Sequence, residues 1–175
     1  MNSKFLPLFL WLFVFFIGCS VFNSNYVAAP FLFPPGNSSL GKIDTVWQIS
    51  TFNGDSIEFA TLRGKKVFAH FWATWCSPCV AEMPHLQALY NDKKQDSSLI
   101  FLFFCIEEKE IVQSFMTKNK YTFPIYISKK TPHFLQTGFI PSTFIFNTHG
   151  ELAYKRVGEA DWRDSSVTKF IDALP

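Results

Sequence analysis

The sequence predicts one α/β domain, a mixed central sheet flanked by helices, preceded by an export segment and a tether. Three observations carry the prediction. Two apolar runs, VFAHFW (67–72) and LIFLFFCI (99–106), are joined by a helical stretch; strands apolar on both faces belong inside a covered sheet, and a helical crossover makes such a pair parallel. Shorter strand-like runs flank the turn dipeptides Asn53-Gly54 and His149-Gly150, which suit antiparallel pairs. Amphipathic stretches of helical period fall between and after the strands.

Taken in order, Val46–Ser50 and Ser56–Ala60 form the first pair of strands, and Arg63-Gly64-Lys65-Lys66 turns the chain into VFAHFW. CVAEMPHLQALYND is a helix, with Val80, Met83, Leu86, Gln87 and Tyr90 at helical spacing and Pro84 inside it, where a lost hydrogen bond should kink the chain. After LIFLFFCI comes EEKEIVQSFMTKNK, an amphipathic helix with Ile111, Phe115 and Met116 on one side. FPIYI, PSTFIFN and ELAYKRV are strands, and DWRDSSVTKFIDAL is the closing helix. The order is β-β-β-α-β-α-β-β-β-α.

Composition excludes some classes. With 175 residues the chain holds one domain of ordinary size. Its net charge of +2 comes without any run of like charge, so no nucleic acid partner is expected. Eight of the 22 phenylalanines lie in residues 1–35, so the apolar composition partly reflects a segment outside the fold. Lys4, the apolar run Phe5–Ile17 and Gly18-Cys19 resemble a secretory signal. FFIGC ends like a lipoprotein signal with Cys19 as the lipidated residue. Counted through Phe22, the run also has the length of an uncleaved anchor. Cleavage after Val27-Ala28-Ala29 is a third possibility. Residues 23–41, rich in Pro, Gly, Ser and Asn, read as a tether. The expected organisation is an export or anchor segment at 1–22, a linker at 23–41 and the domain at 42–175. The domain is then placed outside the cytoplasm, held to a membrane through its N-terminus.

The chemistry centres on Cys76 and Cys79 in WCSPC, where a buried strand gives way to a helix. Unpaired N–H groups and the dipole at a helix N-terminus stabilise a thiolate on Cys76, and the thiolate is the attacking species. Pro78 suits the first turn. Cys79, one turn in, is placed to resolve a mixed disulfide. Structural zinc needs four ligands, and neither a second CxxC nor a close His pair follows, so no metal is expected. A structural crosslink closing so short a loop would contribute little. No cofactor is expected.

FWATWCSPCVAEMP resembles the active-site stretch of the TlpA/ResA-like thioredoxins, exported and usually membrane-tethered thiol–disulfide oxidoreductases. The likeness runs from about Lys42 to Leu174 and includes Leu62-Arg63-Gly64-Lys65 and FIPSTFIFNTHGELAYKRVGEADW. It implies a thioredoxin-like fold with an added N-terminal β-hairpin. It also implies that Cys76 is the nucleophile and Cys79 the resolving cysteine, and that Pro141, after Ile140, is a cis-proline facing the pair. Trp75, Ile140 and Pro141 would contact the substrate, an incoming peptide pairing with the Ile140 backbone. Glu82, three residues after Cys79, would be the acid–base group for that thiol; read without the family, it is a solvated charge near a helix start.

His70 departs from the pattern. Thioredoxins proper carry a buried aspartate six residues before the nucleophile, and this family more often a neutral polar residue. A histidine there is either a hydrogen-bonded core residue or a participant in proton transfer. Cys105 is read as a buried, inert thiol. The expected activity is reduction of client protein disulfides, as in cytochrome c maturation, with a membrane electron donor re-reducing the pair. Two other classes make different demands on the chain. A thiol peroxidase would need its nucleophile at Ser77, three residues after Thr74. A copper or haem carrier would retain its cargo through purification.

Overall fold

The computed structural model describes residues 47–127 and 131–175. The export segment, the linker and residues 42–46 of the domain lie outside the described residues. The elements are β1 (Gln48–Thr51), β2 (Ser56–Glu58), β3 (Lys66–Trp72), α1 (Ser77–Lys93), β4 (Leu99–Cys105), α2 (Lys109–Asn119), β5 (Ile125–Ile127), β6 (Ser142–Phe146), β7 (Leu152–Val157) and α3 (Ser165–Ala173). Two 3-10 turns, Phe59–Leu62 and His133–Leu135, follow β2 and β5.

The described strands form one sheet in the order β2-β1-β5-β4-β3-β6-β7. β3, β4 and β5 are parallel, as helical crossovers require. β6 runs antiparallel to β3 and β7 antiparallel to β6, while β1 pairs antiparallel with both β2 and β5. Between β1 and β2, Gly54 takes a φ of 92°, a value that glycine reaches without Cβ strain.

Alternation along β3 sends successive side chains to opposite faces. Phe68 and Trp72 enter one core cluster, shared with residues from all of α1, α2 and α3. Val67 and Ala69 enter the other, made with Trp47, Phe59, Leu102, Phe104, Phe144 and Phe146. No α-helical residue among those described belongs to this second cluster. Its cover comes from the two 3-10 turns, through Phe59, Leu62, Phe134 and Leu135. Lys66, at the start of β3, is buried and its Nζ donates to the carbonyls of Ile171 (2.9 Å) and Asp172 (3.3 Å), where the C-terminus of α3 carries negative charge.

Local details differ from the sequence reading at β2, α1 and α2. The second strand stops at Glu58, because Phe59 turns inward onto Trp47 and Phe146 and starts a 3-10 turn. α1 buries Cys79, Glu82, Met83, Leu86 and Leu89, so its inward stripe is not the expected Val80–Met83–Leu86–Gln87–Tyr90. Gln87 is half-buried and serves the loop before β5, accepting from the Thr122 N–H (2.7 Å) and donating to its hydroxyl (2.9 Å). Helix α1 continues unbroken through Pro84. α2 begins at Lys109 and turns Val112 inward, flanked by Phe115 and Met116, which leaves Ile111 exposed.

Candidate active site

β3 delivers the chain to the site and α1 carries it away. Trp72 and Ala73 are buried, and Cys76 is the N-cap of α1, with Pro78 in the first turn. Cys76 and Cys79 are joined in a disulfide, their Cα atoms 5.2 Å apart. The Cys76 sulfur occupies the place of a capping oxygen: it accepts from the Cys79 N–H at 3.3 Å. An anionic sulfur there gains more from that donor than a neutral one. Cys76 is only 6% exposed and Cys79 is fully buried, so access comes from the Cys76 side.

The loop between Trp72 and Cys76 is held by a residue that sequence reading missed. Glu107, just past β4, accepts from the Thr74 backbone N–H (2.5 Å) and from its hydroxyl (2.6 Å). These bonds draw Glu107 out of the helix that the EEKE run suggested, and Glu108 becomes the N-cap of α2. The Cys105 thiol donates to the same carboxylate at 3.4 Å. Burial pushes Cys105 up to about 12, so it holds its proton at neutral pH and is a poor nucleophile.

The segment 137–142, which shares a groove with Trp75, is tied by its own hydroxyls. Ser142 Oγ and Thr137 Oγ1 both donate to the Phe139 carbonyl (2.5 and 2.6 Å). The Ile140–Pro141 bond is cis, Pro141 is buried, and its carbonyl accepts from the Gly158 N–H at 2.9 Å. Trp75 and Ile140 line one groove of about 450 Å³ together with Phe71, Ile106 and Phe139. Trp75 (65%), Ile106 (72%) and Phe139 (71%) are exposed, an apolar surface next to the disulfide.

Glu82 lies on the buried side of α1, with no solvent exposure. The reading as a solvated charge is therefore overturned: packing against the 160–162 loop removes it from water. Its Oε2 accepts from the Ala160 N–H (3.0 Å) and the Trp162 indole (2.7 Å), and its Oε1 lies 3.3 Å from His70 Nε2. Desolvation pushes the carboxyl up to about 8, against the opposing pull of those two hydrogen bonds. Burial drives His70, bonded through Nδ1 to Thr143 Oγ1 at 2.8 Å, down to about 3. Ala160, Trp162 and Thr143 had no role in the sequence reading. Only the packing of distant segments brings them to Glu82 and His70.

Comparisons with known proteins agree with this geometry. The redoxin family profile matches residues 45–171. The chain is 33% identical over 155 residues to the thiol-disulfide oxidoreductase ResA of Halalkalibacterium halodurans, covering 87% of this chain and 84% of that one. It is 29% identical to the sporulation thiol-disulfide oxidoreductase A of Bacillus subtilis, over 66% of this chain and 73% of the relative. The crystal structure of StoA from Bacillus subtilis superposes with a TM-score of 0.61 at 26% identity, covering 74% of this chain and 98% of StoA. A thiol:disulfide interchange protein DsbE from Chlorobium tepidum shares the fold at 19% identity, with a TM-score of 0.64 over 77% of this chain and 98% of its own. The chain belongs to the redoxin family, as one of its TlpA/ResA-like thiol–disulfide oxidoreductases.

Proposed function

We propose that the chain reduces disulfides of client proteins outside the cytoplasm through the Cys76–Cys79 pair. The observation that carries this reading is the Cys76 sulfur in the N-cap position of α1, next to an open apolar groove. In the reduced enzyme the Cys76 thiolate attacks one sulfur of the client disulfide. A mixed disulfide forms and the client's other sulfur leaves as a thiolate. Cys79 then gives up its proton and attacks Cys76, which closes the enzyme disulfide and releases the second client thiolate. Two electrons pass to the client, and a membrane electron donor restores the dithiol.

Glu82 is the acid–base group for Cys79 in this reading. A carboxyl held up to about 8 by burial exchanges protons near neutral pH. Trp75, Ile140 and Pro141 would hold the client segment, with the apolar rim of Trp75, Ile106 and Phe139 contributing contact area. The family resemblance makes apoproteins of cytochrome c maturation one class of client. Residues 1–22 would attach the chain to the membrane, 23–41 would serve as tether and 42–175 as the working domain.

Mild reduction of the full chain, alkylation and mass spectrometry test the assignment. Label should enter Cys76 first; preferential labelling of Cys79 or Cys105 overturns it. Intact cells treated with a membrane-impermeant thiol reagent test the location. Modification of Cys76 there, with the chain in the membrane fraction, is the expected result, and a soluble, protected chain refutes it.

A further inference from the structure

On the helix side of β3, buried side chains from four segments meet: His70 from β3, Thr143 from β6, Glu82 from α1 and Trp162 from the loop before α3. Thr143 stands directly across the β3–β6 ladder from His70. Glu82 Oε2 is already filled by two donors, the Ala160 N–H and the Trp162 indole. The remaining oxygen, Oε1, and His70 Nε2 have no hydrogen-bond partner among the described residues except what each offers the other, at 3.3 Å. Two bare lone pairs at that separation repel, so a proton on one atom or the other relieves the contact.

The neighbours decide which. Burial keeps Glu82 protonated and His70 neutral at pH 7. With Oε2 accepting twice, the carboxyl proton sits on Oε1 and points at Nε2. The single ring proton is then on Nδ1, donated to Thr143 Oγ1. Once Glu82 ionises, Oε1 becomes an acceptor and needs a donor, which the ring supplies only as its Nε2–H tautomer. A hydroxyl both donates and accepts, so Thr143 can serve Nδ1 in either form.

We propose that each ionisation of Glu82 switches His70 from the Nδ1–H to the Nε2–H tautomer, with the Thr143 hydroxyl turning from acceptor to donor. His70 is thus a positioning residue that satisfies both the acid and the base form of the carboxyl. One proton leaves the cluster, passing to solvent or, in turnover and resting on the role proposed above for Glu82, to the Cys79 sulfur. The ring and the hydroxyl each hold one proton before and after.

Few other charges face the cluster. Glu159 and Arg156 act on Glu82 with opposite sign, the first raising and the second lowering its pKa. His85 and Asp161, 3.0 Å apart, lie beside it on α1 and the 160–162 loop. Cys76 and Cys79 are bonded to each other at the start of α1. Phe103 of β4 meets the His70 ring edge-on, with centroids 6.0 Å apart, and brings no polar atom.

The test is NMR on the full chain in detergent with the disulfide closed, labelled with ¹⁵N in histidine and ¹³C in glutamate. The His70 ring nitrogens and the Glu82 carboxyl carbon are followed from about pH 5 to 9.5. Expected is an exchange of protonation between Nδ1 and Nε2 with the same midpoint as the Glu82 titration. In Glu82→Gln, whose amide donates to Nε2 at every pH, the ring should stay Nδ1–H throughout. A ring fixed in one tautomer while Glu82 titrates overturns the proposal, as does a ring protonated on both nitrogens at neutral pH. No thiol chemistry enters this measurement. A switch seen in a protein whose exchange rate is unaffected by Glu82→Gln supports the tautomer coupling and removes only the role of Glu82 on Cys79.

Discussion

The two faces of the central sheet are built from the same strands and differ in almost every other respect. On one face, Phe144, Phe146, Leu102 and Phe104 pack with Trp47 and Phe59 in an apolar layer covered by 3-10 turns. On the other, the three α-helices described here pack over Phe68, Trp72 and Phe103, and the redox pair, His70, Glu82 and Cys105 are buried among them. One face supplies cohesion through area removed from water and aromatic contact. The other gives up some of that to hold ionisable groups out of water, where burial raises the pKa of Glu82 and lowers that of His70. Within one small core, stability and chemistry are divided by the side of a strand on which a residue falls.

That division can be broken from either side. The largest effect is expected on the helical face. Glu82→Gln keeps the shape but removes the titrating group, and should slow disulfide exchange by ~10²–10⁴-fold. It should also flatten the pH profile, as read by stopped-flow reduction of a model disulfide between about pH 5 and 9. On the opposite face, Phe104→Ala should cost about 3–5 kcal/mol in urea denaturation. Under conditions where the variant is folded, its exchange rate should match that of the parent. A rate loss equal to that of Glu82→Gln would end the separation of roles.

A finer test uses pH and stability. The folded His70 pKa, about 3, lies below its ordinary 6.5, so this residue makes stability rise with pH between those values. The folded Glu82 pKa, about 8, lies above its ordinary 4.5, so its contribution is present at low pH and is lost as pH climbs from 4.5 to 8. From 4.5 to 6.5 the two slopes cancel. Between 6.5 and 8 only Glu82 acts, and stability should fall by about 2 kcal/mol. Denaturation midpoints across that window should decline in the parent and stay level in Glu82→Gln. The smallest effect belongs to Cys105, on the helical face and held near pKa 12 by its burial. After mild reduction it should take no alkylating label until denaturant is added, the result expected of a thiol that burial keeps protonated.

The order of the elements and the parallel core of the sheet were legible in the sequence, because apolar runs of strand length and a long helical stretch leave few alternatives. The boundaries were less so. Phe59 leaves its strand for Trp47 and Phe146, and α2 turns Val112 rather than Ile111 inward, because packing partners far along the chain select the face. Gln87 fits a helical stripe by spacing, but it holds Thr122.

By itself the sequence determined where the disulfide chemistry sits. A buried strand, a helix start, Pro78 and two cysteines three residues apart are all local features, and local geometry alone puts the Cys76 sulfur over the first turn of α1. It also placed Glu82 one turn beyond Cys79 on the same helix. Only the tertiary structure decided what surrounds that carboxyl: Ala160 and Trp162 arrive from 78 and 80 residues away, and His70 meets it from β3 with Thr143 behind. A group's charge state depends on the water it loses and the donors it meets. Both are supplied by segments brought together only when the sheet and α1 close over one another.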